Sequence, residues 1–274
     1  MNLEWTDHYP DADVLRSEIR AMVQSMASAV RDIFGDDHVR AVWFKGSGQK
    51  HWDSPLDYVP TLSDVDIHVW LSEAAAADFH DLNRALSVQA GMEAHFAKRV
   101  TRPIHTPRPQ LNLINDLITL EDYVDSPVAI VETVYGEAPQ PGDYADVAGI
   151  RSQDRAALVS NAAEVANVSR RLIDRPGPYL WDLLRSLSWR VSPIGSRVLS
   201  VSGMAPEEAW SMNRTRIAAA LHERGLEQIA EPWQQFYLSG WELFLNPDDG
   251  DAGRDAIRAA IDALQLSGEF AQVR

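Results

Sequence analysis

The chain has no cysteine among its 274 residues. That absence excludes disulfides, thiolate metal sites and cysteine nucleophiles. It has no apolar run near the roughly 18 residues that a membrane span needs, so no membrane partner is expected. Met1 to Pro10 carry neither a basic stretch nor an apolar core. No secretory signal is expected there, and the expected compartment is the cytoplasm. Positive charge is scarce: 25 Lys and Arg stand against 40 Asp and Glu, a formal net charge of -15. About -13 of that falls before residue 150. An acidic front half repels a polyphosphate backbone, so long DNA or RNA is a poor expectation. The same field concentrates small cations. What remains is ordinary globular material, 45% hydrophobic and 24% charged, enough for a core.

Periodicity divides the chain by texture. Apolar positions from Val14 to Ile33 recur at helical spacing, with Asp11 or Asp13 as cap and Gly35 as stop. Residues 39 to 45 and 64 to 71 read as buried strands. Residues 49 to 62, with Pro55 and Pro60, read as an irregular loop. Ser72 predicts a long helix reaching about Lys98. Prolines 103, 107 and 109 predict a loop, followed by short strands at 111–114 and 128–135. From residue 151 onward only helices are expected: 151–173, 179–191, 206–224, 227–245 with Pro232 inside or at its start, and 251–264. Strands confined to the first half predict an α+β domain over 1–145 and an all-α helical bundle over 146–274.

Two short motifs carry chemistry. Gly46-Ser47 ends the apolar run Ala41-Val42-Trp43-Phe44. After sixteen intervening residues, Asp64-Val65-Asp66 opens a second apolar run. Residues two apart on a strand point the same way, so both carboxylates face one point. Mg²⁺ takes oxygen ligands and uses one or two carboxylates together with substrate phosphate. Backbone amides of a glycine turn approach phosphate closely because no side chain intervenes. Lys45 and Lys50 bracket that turn and can balance phosphate charge. His68 shares the face of the aspartates, as a third ligand or as an ordinary hydrogen-bonded strand histidine. Trp52 and Tyr58 in the loop can stack on a base or anchor the loop. Arg185, Arg190 and Arg197 offer cations in the helical half, on faces that also read as merely solvated.

Set together as VWFKGSG…SDVDIHV, these residues resemble the DNA-polymerase-β-like nucleotidyltransferase superfamily. The motif covers roughly residues 39 to 71, and the helical second half is similar to the bundles of aminoglycoside-type nucleotidyltransferases. The resemblance implies a nucleotidyltransferase-type mixed β-sheet flanked by helices, with two Mg²⁺ ions as cofactor. It implies transfer of a nucleoside monophosphate, AMP from ATP in the first instance, to an acceptor hydroxyl with release of pyrophosphate. Gly46 and Ser47 would bind the triphosphate, and Asp64 and Asp66 would bind metal. A small acceptor such as an aminoglycoside suits the acidic front half.

Two departures from the family stand out. The spacer after Gly-Ser is long. The family's third carboxylate, on a later strand, is matched here by Asn112 within Gln110-Leu111-Asn112-Leu113. Asparagine offers a neutral oxygen to a metal but cannot accept a proton as general base. Asp116, Glu121 or Asp122, nearby in sequence, can take that place. The alternative is a non-catalytic nucleotide-binding module, regulatory or a toxin–antitoxin partner, with a degenerate site.

Overall fold

A computed structural model describes residues 3–120, 123–142 and 144–274, and its architecture is α+β. Contacts divide the chain into two compact units. One comprises residues 5–50 and 64–142; the other comprises the described residues of 1–4, 51–63 and 143–274. The expected loop thus packs with the helical second half, although it interrupts the motif of the first. Among the described residues no helix is long and apolar enough to cross a membrane.

The first unit holds a mixed four-stranded sheet. Its strands are β1 (Val39–Lys45), β2 (Asp64–Leu71), β3 (Arg108–Leu113) and β4 (Glu132–Gly136), in spatial order β3-β2-β1-β4. β1 pairs antiparallel with β2 and β4, while β2 and β3 run parallel. Helix α1 (Ala12–Phe34) is capped by Asp11, whose carboxylate accepts from the amides of Asp13 and Val14. Its apolar stripe packs on the sheet face formed by Val42, Phe44, Val65, Ile67 and Val69, all fully buried. Burying such side chains contributes roughly 1.5–3 kcal/mol each.

Three local expectations for this unit need correction. Ser72 caps only a short helix, α2 (Glu73–Ala77). A separate helix, α3 (Leu82–Arg99), starts at Asp81, whose carboxylate accepts from the Arg84 amide at 3.0 Å. The strand expected at 111–114 begins earlier, at Arg108, and includes Pro109. Proline is tolerated there because β3 is an edge strand. At Ile114 the chain turns into α4 (Ile114–Leu117), and the Asn115 amide bonds both backbone groups of Leu71. The strand expected from 128 begins only at Glu132, after a helical turn over 128–130.

The second unit is built of helices α5 (Val147–Ala163), α6 (Val168–Leu172), α7 (Leu180–Val191), α8 (Ile194–Val201), α9 (Pro206–Ser211), α10 (Arg214–Glu223), α11 (Glu227–Leu245) and α12 (Gly250–Gln272). α8 was not expected: Pro193, read as a stop, precedes its first turn, where proline costs nothing. The helix expected over 206–224 is split at Asn213, which caps α10 by accepting from the Arg216 amide. Its side-chain nitrogen also donates to His51 O and Asp53 Oδ2. Pro232 lies inside α11 without ending it. Trp233, Phe236, Tyr237 and Trp241 on that helix are fully buried, and their packing exceeds proline's cost of about 3 kcal/mol. Arg197 lies 3.6 Å from the buried Asp154, and Arg190 pairs with Glu164.

Residues 51–63 are bound into this unit. Asp57, buried, accepts from the amides of Asp53, Ser54 and Thr215 and from the Thr215 hydroxyl. Buried Arg214 donates to Leu56 O, Asp57 O and Ser63 Oγ, and its guanidinium stacks 4.0 Å over Tyr237. Gly240 lets α11 approach, since a Cβ there would lie 2.2 Å from Leu62. Trp52 and Tyr58 are buried and stack at 4.9 Å, so they anchor the segment. Asp57→Ala leaves three amides without their acceptor. It is expected to lower stability by about 3–5 kcal/mol in denaturant titration, whereas Asp248→Ala, on an exposed turn, changes it by less than about 0.5 kcal/mol.

Candidate functional site

The register of β1 against β2 builds one corner. Lys45 pairs with Asp66, Trp43 with His68 and Ala41 with Trp70. These side chains therefore share the sheet face opposite α1, together with Asp64. Asp64 and Asp66 are half-buried on that face, while Val65 and Ile67 point into the core.

Gly46 follows Lys45 directly and begins a turn. The amides of Gln49 and Lys50 both donate to its carbonyl. Its φ is +81°, a backbone conformation that side chains disfavour. A Cβ at Gly46 would lie 1.9 Å from Asp66 Oδ2. The carboxylate of Asp66 thus rests directly against the backbone of the Gly-Ser turn. Ser47 is half-buried on the turn, Gly48 packs on Phe44 and Ile19, and Lys50 closes the turn through its amide.

Cations meet both acids. Arg108, level with Asp64 on β3, donates its guanidinium to Asp64 Oδ1. Lys45 is held by Ser126, with Nζ to Oγ at 2.9 Å. Burial pushes the Lys45 ammonium below its ordinary value, while the charges of Asp66 and Asp125 pull it back up. His68 is buried, and desolvation with the neighbouring Lys45 charge lowers its pKa to about 3, so its imidazole is neutral. It therefore brings no charge to the site.

The strand expected to offer a third acid carries none. On β3, Arg108, Gln110 and Asn112 stand level with Asp64, Asp66 and His68. None is a carboxylate. Asp116 turns away to His80, 3.0 Å distant on the surface. Glu121 and Asp122 lie outside the described residues. Asp125, in the loop before β4, does come to the Lys45 side of the corner. Sequence reasoning missed it, and missed Arg108, because only the fold brings these segments to β1 and β2.

Among the described residues no group of three or more His, Cys, Asp or Glu side chains is arranged to hold a metal ion. Two hard carboxylate oxygens beside a glycine turn still match the demand of Mg²⁺, which fills its other positions from phosphate and water. Beyond the corner the same sheet face carries a pocket of about 240 Å³, lined in part by Lys45 and Asp125. Compared with protein-family models, with curated proteins and with solved structures, the chain matches none.

Gly46→Ala forces a side chain into the Asp66 carboxylate at a left-handed position. The variant is expected to lose roughly 1–3 kcal/mol. Amide spectra should move at residues 45–50 and 64–68 while the α12 signals stay in place.

Proposed function

We propose that the chain is a Mg²⁺-dependent nucleotidyltransferase, built on a nucleotidyltransferase-type sheet. It moves a nucleoside monophosphate from a nucleoside triphosphate, ATP in the first instance, to a hydroxyl of a small-molecule acceptor. The observation that carries the reading is the contact of Asp66 with the Gly46 backbone, which joins an acidic pair and a phosphate-type turn in one corner.

The charges suit a metal–polyphosphate salt. Asp64 and Asp66 offer oxygens to the cation of that salt, and Arg108 and Lys45 offer donors to its anion. Each protein ion keeps an opposite partner when such a ligand enters, so no buried charge is left alone. The glycine turn lets backbone approach phosphate with no side chain between them. Bound there, Mg²⁺ supplies neutralisation of the charge that develops on the attacking and leaving oxygens. The acceptor oxygen bonds the α-phosphorus as the bond from that phosphorus to the bridging oxygen breaks, and pyrophosphate departs with the electron pair. We assign the acceptor proton to the carboxylate of Asp125, since β3 carries no acid.

A second reading, a nucleotide-binding module without turnover, is favoured by Arg108, Gln110 and Asn112 standing on β3 in place of an acid. One pair of measurements separates the two. Mg²⁺ with a non-hydrolysable ATP analogue should raise the melting temperature under either reading. Only the enzyme should release pyrophosphate, assayed with ATP, GTP, CTP and UTP against aminoglycosides and other hydroxylated small molecules. No release from the wild-type chain across that panel overturns transfer and leaves the binding module. Given turnover, Asp64→Asn should lower the rate by at least about 100-fold with an unchanged circular dichroism spectrum. Asp125→Asn should lower kcat by about 10²–10⁴ while leaving the affinity for the ATP analogue within about threefold of wild type.

A further inference from the structure

Helix α3 buries little of itself. Of its 18 residues only Val88 and Phe96 are buried. One face packs on α1. Gly91 lets the two helices approach, since a Cβ there would lie 3.3 Å from the Ala29 Cβ. On the same side His95 pairs with Asp32 at 2.8 Å, and Arg84 donates to Ile33 O.

The other face is exposed and apolar. Leu82 is 71% exposed and Leu86 is 56% exposed. Ala90 and Ala97 are exposed as well. At 100° per residue these four fall within about 80° of arc, which makes one strip along the helix. A single exposed leucine is common. Two of them one turn apart, in line with two alanines, make a contact surface. Glu93, the acid on this strip, is engaged by Gln89, whose side-chain nitrogen donates to it at 2.6 Å.

The two ends of α3 carry opposite charge. Asp78 and Asp81 are exposed at its start, and Lys98, Arg99 and Arg102 are exposed at its end. That polarity suits the dipole of any helix. It also makes the helix complementary to an antiparallel copy of itself, because acid meets base at both ends. A parallel copy would set like charges together. Size is matched in the same way, with leucines in the first half of the strip and alanines in the second. Pairing centred on Ala90 sets Leu86 level with the partner's Ala94, and Leu82 level with the partner's Lys98, beside the partner's Ala97. Methyl groups at the centre permit close approach of the two axes.

We propose that α3 is a self-docking surface through which two copies of the chain form a two-fold dimer. The contact closes on itself, so no open chain of copies follows. The helix is about 27 Å long, and one such pair falls short of the roughly 800 Å² per partner of a standard interface. The dimer is therefore reversible, with a dissociation constant of about 1–100 μM. The corner lies on the sheet face opposite α1, so the proposal does not rest on the transfer reading.

Sedimentation velocity of the full chain from about 1 to 300 μM tests it. The mass should rise from one chain toward two. Leu86→Glu places a charge in the strip at an exposed position. It should weaken association by about tenfold or more, with a melting temperature within a few degrees of wild type. Because the chain has no cysteine, single substitutions report direction. Ala90→Cys should give a disulfide-linked dimer under mild oxidant, since antiparallel pairing brings the two positions together. Leu82→Cys should give none, since the two copies of that position lie about 24 Å apart. A chain that stays monomeric throughout overturns the proposal and leaves α3 to a different partner. Undiminished association in Leu86→Glu also overturns it, and so does cross-linking through Leu82→Cys in preference to Ala90→Cys.

Discussion

Lys45 stands opposite Asp66 across the β1/β2 pair, and Gly46 follows with no side chain to keep the carboxylate away. The function proposed for this molecule depends on that register. A slip of one residue would turn Asp64, Asp66, His68 and Trp70 toward α1 and Val65 and Ile67 to the opposite face. The register is held from behind. Val65, Ile67 and Val69 are buried under α1 beside Val42 and Phe44 of β1, and a slip of β2 would take all three off that face. The polar corner therefore takes its geometry from apolar burial on the opposite face of the same strands.

The electrostatics of the corner follow from that placement. Two carboxylates on β2 stand between a cation on β3 and a cation on β1, and a neutral histidine lies beside them. A face with the acids alone would repel a polyphosphate, and a face with the cations alone would offer nothing to a metal ion. The overall charge of -15 makes local cations the decisive feature. Arg108 and Lys45 supply them where the long-range field would otherwise oppose an anionic ligand.

The long spacer has a structural reason. Residues 51–63 leave the sheet unit between the two halves of the motif and join the helical unit. Their polar groups are satisfied there by Asp57, Arg214 and Asn213, and their aromatic rings are buried there. A segment with so many buried partners is a structural element of the helical unit and not a surface loop. Pro55 and Pro60 had suggested irregular structure, correctly in conformation and misleadingly in burial.

Much of the outline was legible in the residues themselves. Short apolar runs placed β1 and β2, helical spacing with Asp11 and Gly35 bounded α1, and the absence of strand patterns after residue 140 set the α+β division of texture. The Asp64/Asp66 pair and the Gly46-Ser47 turn were visible as local patterns because each lies on one strand or one turn. Breaks inside helical stretches were less legible. Asp81 and Asn213 end one helix and cap the next, and a capping side chain looks in sequence like any other surface polar residue. Arg108, Asp125 and Ser126 lay beyond reach for a different reason. Their meaning comes from strand order and from loops folded across a sheet face, which join distant residues, 81 positions apart in the Lys45–Ser126 bond. Local chemistry is written in neighbouring residues, but a charge acquires its partner only when packing of the apolar face has chosen which strands lie side by side.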